Sequence, residues 1–438
     1  MIHSRRLAAT LAVVAACALP LTAIAEVTAF TGARLMPVSA PPIDNGVLVV
    51  EDGKIAAVGS ADSVSIPSNA TVIDLSGRIV IPGLVDTHSH IGEVAGGDSS
   101  GPIQPETRVL DSINVRDAGF DRSRAGGVTT ANLMPGSGHL VSGQTIYVKL
   151  RDGNRIEELA YRRDDGAIDG GLKMANGTNS RRDPPYPGTR AKSASLVRAK
   201  YVAAIEYKKK LDAAGDDESK HPERDLAMET LVEVLEGKRI VHFHTHRHDD
   251  VMTVLRLKEE FGFDVILHHV SEAVKVAEEI AAAGVPVSAI LVDSPGGKLE
   301  AIDLLPENAA ALEQAGVLTA LHSDDYITDS RLLLRMAAMA VRAGMTEDGA
   351  LKSVTLAAAE MLRMDDRIGS LTAGKDADFV VLSGEPFSVY TQVLETWVEG
   401  TKVFDRSGER DRAIAEGGYG ALGPSHSAHT HHGFHEDH

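Results

Sequence analysis

Cysteine is nearly missing from this chain. Its 438 residues hold one, Cys17, in a segment that reads as a leader. A disulfide framework, a cysteine-rich zinc module and a catalytic thiol are therefore excluded from the body of the protein. Aromatic residues are scarce at 4%, with a single Trp. Positive charge is short as well: 44 Lys and Arg against 62 Asp and Glu leave a formal net charge of −18. Nucleic-acid binding needs a basic face, so this balance argues against that class and for a soluble protein. Beyond the leader, no apolar run approaches the roughly 20 residues of a membrane-spanning helix. What remains is ordinary globular composition, 43% hydrophobic and 24% charged, in a chain long enough for one large domain or two smaller ones. Histidine is the residue in excess, with 18 present, most of them in tight clusters.

Residues 1–25 read as a signal peptide. Arg5 and Arg6 end a short positive region, Leu7 to Leu19 form an apolar run, and Ala23-Ile24-Ala25 is a small-residue cleavage site. The mature chain is then expected to start at Glu26, in the periplasm or secreted. Val14-Ala15-Ala16-Cys17 offers a second route, lipid anchoring through Cys17.

After the leader the chain is strand-like. Val47 to Val50 and Ile55 to Val58 flank Asp52-Gly53, a hairpin signal. Short apolar runs return at Phe379 to Leu382 and Val398 to Phe404. These stretches predict one small β-domain built from residues 26–78 and 370–410. Between them, residues 79–369 alternate strand-like and helical runs. The strand candidates are Ile79 to Val85, Val128 to Met134, Thr145 to Leu150, Gly171 to Met174, Ile240 to Phe243, Val265 to Leu267, Val285 to Ile290 and Val317 to Leu321. Eight strands with interleaved helices suit a parallel barrel; a doubly wound open sheet is the alternative. Residues 96–105 and 176–188 suit long loops over an active-site mouth. Residues 411–438 read as a disordered tail, and its last 14 residues carry six histidines. Such tracts bind metal, by function or adventitiously.

Four histidine clusters end predicted barrel strands, where barrel active sites sit. In Asp86-Thr87-His88-Ser89-His90, alternation puts His88 and His90 on one strand face, able to chelate one ion. His242, His244 and His246 likewise share a face. His268-His269 and His322-Ser323-Asp324-Asp325 end the sixth and eighth strands. Any one cluster is readable as packed barrel histidines or solvated acids; four at strand ends point to a metal centre. His322, two residues before Asp324, shares its inward face one layer deeper. His246, like His139 and His268, falls to a supporting or substrate-facing role. Arg181, Arg182 and Arg247 are candidates for a substrate carboxylate, with solvated charge as the plainer fate.

Pro82 to His90, Gly126 to Thr130, the later His and Asp clusters, and Gly369-Ser370-Leu371 through Gly374-Lys375-Asp376-Ala377-Asp378-Phe379 resemble the amidohydrolase superfamily, in particular its imidazolonepropionase-like metal-dependent hydrolases. The likeness covers nearly all of the mature chain except the tail. It implies a metal-bearing (β/α)8 barrel beside a β-sandwich made from both chain ends. It also implies that His88, His90, His244 and His269 are metal ligands and that Asp324 touches the metal and shuttles the proton. Lys173 falls where binuclear members carry a carboxylated lysine bridging two metals; a barrel-packing lysine is the other reading, and His269 then polarises the substrate.

The expected cofactor is one or two divalent ions, Zn foremost, because imidazoles and a carboxylate suit it. The ion brings the pKa of its water towards ~7. The resulting hydroxide would hydrolyse a C–N bond in a cyclic or linear amide, peptide-like ones included, while Asp324 carries the proton. A ring deaminase on the same fold is the nearest alternative, and a periplasmic metal-binding protein acting through its tail is a different-class one. The expected partner is a small-molecule substrate, with no nucleic acid and no membrane span; a homo-oligomer is compatible.

Overall fold

The computed structural model describes residues 27–292 and 298–417. The leader and the histidine-rich stretch after residue 417 lie outside the described residues. The first strands are β1 (Val27–Leu35), β2 (Ile43–Glu51), β3 (Lys54–Ser60), β4 (Thr71–Asp74) and β5 (Ile79–Pro82). Then come β6 (Leu84–Ser89), β7 (Val128–Leu133), β8 (Val141–Gln144), β9 (Ile146–Lys149) and β10 (Leu172–Ala175). These are followed by β11 (Val241–Thr245), β12 (Val265–His269), β13 (Val287–Ala289) and β14 (Thr319–Leu321). The last are β15 (Phe379–Leu382), β16 (Val393–Val398) and β17 (Thr401–Asp405).

Both chain ends build one sheet, in the order β17-β16-β15-β5-β1-β2-β3 with β4 beside β1. β2 and β3 form the expected hairpin. Asp52 and Gly53 take φ of 49° and 76°, the paired positive values that match a turn to strand twist. The single Trp sits here in an aromatic cluster. Phe30 meets the Trp397 ring edge-on at 5.0 Å, and Phe379 stacks on it at 5.4 Å. Each such buried side chain contributes roughly 1.5–3 kcal/mol of apolar burial.

The run Ile79 to Val85 is two strands rather than one. β5 pairs with β15 and β1 in the terminal sheet, while β6 pairs with β7. Gly83 separates them, and any side chain there would collide with Thr129, 2.2 Å from a placed Cβ. The chain thus crosses from one sheet to the other at the residue just before the histidine pair's strand.

The inner strands form a six-stranded sheet, β14-β13-β12-β11-β10-β8, and a three-stranded one, β6-β7-β9. β8 and β9 are consecutive, so residues 141–149 join the two sheets at one edge. At the other edge Ser89 bridges Asp325, and the Asp324 N–H donates to His88 O at 2.9 Å. The expectation of eight parallel strands needs one correction. The third run, as β9, pairs antiparallel with β7, and β8, which lies just before that run, pairs antiparallel with β10. The segment from Val128 to Lys149 turns directly back instead of crossing over through a helix, which antiparallel pairing permits and parallel pairing does not.

Helices span Arg190–Ala214, Leu226–Leu235, His248–Phe261 and Glu307–Gln314 between the inner strands. Between β12 and β13 a 3₁₀ turn, Ala273–Lys275, leads into a short helix, Ala277–Ala282. The tail was expected from residue 411, yet a helix spans Glu409–Glu416. Ile414 explains it: this side chain is buried against Phe404 and Ala125, which anchors a segment that is otherwise polar.

Candidate metal centre

The strand ends deliver a set of imidazoles and one carboxylate to a common point. His88 Nε2 lies 3.2 Å from His90 Nε2. Asp324 Oδ1 lies 3.2 Å from the first and 3.0 Å from the second. His90 uses Nδ1 on the carbonyl of Met134, at 2.7 Å; donating there leaves Nε2 with a free lone pair, the form a metal ligand requires. Two backbone bonds hold the geometry, Asp324 N–H to His88 O and His90 N–H to Asp325 O at 3.2 Å. Beneath them the buried Asp86 accepts the N–H groups of His88 and Ser323, at 3.2 and 3.1 Å, and the Ser323 hydroxyl. One side chain therefore ties the first and last inner strands together directly under the cluster. Burial pushes its carboxyl up to about 7 against those hydrogen bonds.

His268 and His269 both reach the cluster, although neighbours on a strand normally face opposite ways. In register His268 pairs with His244, and His269 with Thr245. His269 breaks the alternation with φ of 73°, followed by Val270 at 47°. These left-handed values, severe for a β-branched residue, cost on the order of 1–3 kcal/mol each. The strain turns His269 inward, where its Nδ1 meets His322 Nε2 at 3.1 Å. Asp324, at φ of 50°, turns in by the same device. Ligand atoms of His88, His269 and Asp324 all lie within 4.8 Å of one another. His322 is stacked on His88 at 4.7 Å and bonded through Nδ1 to Ser288 Oγ at 2.6 Å.

Lys173 Nζ is fully buried, 3.0 Å from His88 Nε2 and 3.0 Å from Met134 Sδ. Burial brings its ammonium down to about 7, with Asp324 opposing and Lys298 adding to the fall. A substantial share of this amine is therefore neutral near neutral pH, and a neutral amine is the nucleophile that carboxylation needs. Burial also holds His88, His244, His268 and His269 far below the ordinary imidazole range, and His242, His246 and His322 at about 3. All present lone pairs rather than charge. Burial raises the Asp324 carboxyl, but the His90 hydrogen bond and charge, with His322 and Lys173, outweigh it and keep the group low. Four ring nitrogens, on His88, His244, His268 and His269, are buried with no hydrogen-bond partner. Around the Asp324 carboxylate, His88 Nε2, His90 Nε2 and a ring nitrogen of His269 are a donor set that fits a first-row divalent ion.

The structure divides the remaining candidates. His244 falls with His246, their rings 4.6 Å apart, and with Glu300, which the sequence did not single out. Asn179, also unforeseen, places its amide nitrogen 3.2 Å from His244 Nε2. His242 lies deeper, between Tyr147 OH at 2.9 Å and His268 at 3.0 Å. Gly171 makes room for it, since a Cβ there would stand 2.4 Å from the ring. His139 is buried away from this group beside Tyr186, over whose ring Arg182 stacks at 4.0 Å. Arg247 pairs with Asp249 at 2.9 Å, and Arg181 bonds the Gly177 carbonyl at 3.2 Å.

Residues 196–407 match the profile of the amidohydrolase family. Among solved structures, an amidohydrolase from Thermotoga maritima is 34% identical, with a TM-score of 0.80 over 86% of this chain and 100% of that one. The amidohydrolase tasK of Hapsidospora irregularis is 28% identical over 82% of this chain, which spans only 40% of that longer protein. The imidazolonepropionase of Fusobacterium nucleatum is 23% identical over 79% of this chain and 87% of its own length.

Proposed function

The chain belongs to the amidohydrolase family, and on that premise we propose that it hydrolyses a C–N bond in a small cyclic or linear amide, with a divalent ion, Zn foremost, held by His88, His90 and Asp324. The observation carrying this reading is the convergence of Asp324 Oδ1 on His88 Nε2 and His90 Nε2, at 3.2 and 3.0 Å. An ion so held supplies Lewis acidity and an activated water near neutral pH. The chain's own residues do the rest. Asp324 turns Oδ1 to the imidazoles, which leaves Oδ2 to accept the proton of the attacking water and return it to the leaving nitrogen. His269, turned in by its left-handed backbone, either completes the ligand set or polarises the scissile carbonyl. His322 fixes the His269 ring through its 3.1 Å contact. Lys173, as a carbamate, would add an oxygen beside His88.

The names of the imidazolonepropionase relatives support a small amide as substrate class. A (β/α)8 barrel carrying the site, and a mature enzyme exported by the leader of residues 1–25, complete the reading. The test is a panel of C–N substrates given to the purified full chain. Turnover is expected to vanish with chelator and return with Zn, and Asp324→Asn to keep metal while losing ~10²-fold or more in rate. Turnover indifferent to chelation would overturn the reading.

A further inference from the structure

The orientation of the Asn179 side chain is settled from outside the histidine cluster. Its Oδ1 accepts the Lys298 ammonium at 2.7 Å. An ammonium only donates, so the amide nitrogen faces the other way, where it lies 3.2 Å from His244 Nε2. The loop that carries it is tied on both sides. The Asn176 N–H donates to the His244 carbonyl at 3.2 Å, and the Thr178 N–H to Glu300 Oε2 at 2.8 Å. Gly177 between them takes φ of 75°, and a Cβ there would stand 2.8 Å from that same oxygen; only glycine allows so close an approach in this conformation. Arg190 supports Glu300 at 3.5 Å and is itself held by Asp250, at 2.8 and 3.0 Å. The half-buried Asn179 amide is thus a fixed donor in the loop after β10, aimed at the histidines.

The same bond sets the His244 ring. Nε2 accepts, so the neutral imidazole carries its proton on Nδ1, the nitrogen buried without a partner. In this tautomer Nε2 offers a lone pair, as the ligand role implied for His244 by the family likeness requires. His244 borders the cluster directly, its ring 4.5 Å from that of His269. Ligand atoms of His269, His88 and Asp324 in turn lie within 4.8 Å of one another. Once the Nε2 lone pair is taken, the Asn179 N–H needs another acceptor at the same place. We infer that Asn179 is a catalytic residue whose amide N–H donates to the carbonyl oxygen of the scissile amide, and that Lys298 is the positioning residue that aims it. The inference rests on the function proposed above. As the attacking water adds to the carbonyl carbon and gives its proton to Asp324, the C=O π pair moves onto oxygen. A donor already in place stabilises that charge without reorganising. Collapse restores the carbonyl, the C–N bond breaks, and the nitrogen takes the proton from Asp324; Asn179 keeps its own hydrogens throughout. The Lys298 cation at Oδ1 polarises the amide and strengthens its N–H as a donor. Burial lowers the pKa of His244, His246 and Lys173, and the Lys298 charge adds to the fall in each.

The experiment uses the full-length zinc-loaded chain, the fastest amide of the panel above, and methylphosphonate as a tetrahedral oxyanion probe. Asn179→Ala is expected to keep its zinc by elemental analysis and to lose ~10²-fold or more in kcat with KM little changed. Calorimetry is expected to show it binding methylphosphonate at least about tenfold more weakly. Asn179→Asp keeps the size and an oxygen for Lys298 but has no N–H. It is expected to lose as much, which guards against a packing defect in the truncated variant. Lys298→Met is expected to cost about tenfold in kcat on its own and nothing further on top of Asn179→Ala, because the two act as one device. Equal losses in both backgrounds overturn the positioning role. Wild-type kcat in Asn179→Ala overturns the inference, and so does loss of zinc along with activity, which reduces Asn179 to a support for His244. A wild type that turns over no amide condemns the proposed function instead. Methylphosphonate then decides the donor: weaker binding by Asn179→Ala supports it, and equal affinity overturns it.

Discussion

Two regions of this molecule bury many polar groups, and they treat them differently. In one, Lys149 lies fully buried where the inner strands meet the terminal sheet, 3.1 Å from Asp376 and bonded to Asp378. Asp376 also binds Lys54 at 2.6 Å and Arg367 at 3.0 Å, while Arg151 grips Glu399 through two bonds of 2.5 and 2.7 Å. Asp378 gives its second oxygen to the Glu399 N–H, at 2.9 Å. Every charge there meets an opposite charge from the protein itself. The histidine cluster is the contrast. Burial keeps His88, His244, His268 and His269 neutral, and each keeps an unpartnered ring nitrogen. A closed network joins sheets; an open one is completed by something the chain does not provide.

That contrast breaks most sharply under paired substitutions. His88→Ala is expected to abolish metal binding at the histidine cluster and with it essentially all turnover, while the chain still unfolds in one cooperative transition; elemental analysis and denaturant melts check both halves. Lys149→Met should do the reverse. It strands Asp378 without its cation, and breaking a buried pair by removing one partner costs about 3–5 kcal/mol. Turnover per folded molecule is expected to stay unchanged. A Lys149→Met protein of wild-type stability, or one that loses metal while folded, would erase the distinction.

The two regions also differ in how far they were legible in the sequence. His88 and His90 sit two apart on one strand, so alternation alone puts them together, and His322 follows from Asp324 by the same rule. The inward turn of His269 was not legible, because alternation allows only one of His268 and His269 to face in. The left-handed backbone that admits both leaves no mark in composition. Asn179 reaches the site from a loop and Glu300 from a single 3₁₀ turn, Leu299–Ala301, where no periodicity fixes direction. The third inner strand was found in position but not in orientation, since an apolar run reads the same both ways. Asp376 and Asp378 stood in a motif that carried the family likeness. Their work as partners of Lys149 spans 227 and 229 residues, a separation no local pattern encodes.

The smallest expected effect lies at the rim, on a group of intermediate character. Glu272 follows the strained turn after β12 and is partly exposed. Burial raises its carboxyl, but hydrogen bonds from the His248 N–H, Lys275 and the His248 ring outweigh that and bring it to about 2. The His248 N–H and ring lie at 2.8 and 2.5 Å, and Lys275 Nζ at 2.9 Å. A carboxyl depressed in the folded state stabilises above its unfolded pKa and loses that contribution as pH falls through its folded one. The window here runs from about 4.5 down to about 2. Solvent screening at the rim reduces the full linkage value to about 1 kcal/mol. Glu272→Gln is therefore expected to be less stable than wild type by about that amount near pH 7, with the gap closing as denaturant melts are repeated towards about pH 3. If pairing within the protein is what separates a closed region from an open one, this rim group behaves as a small piece of the Lys149 network, and metal content in Glu272→Gln stays at the wild-type level. A gap that does not close with acid would mean that the Glu272 carboxylate contributes through packing, and the electrostatic half of the comparison would no longer extend to the rim.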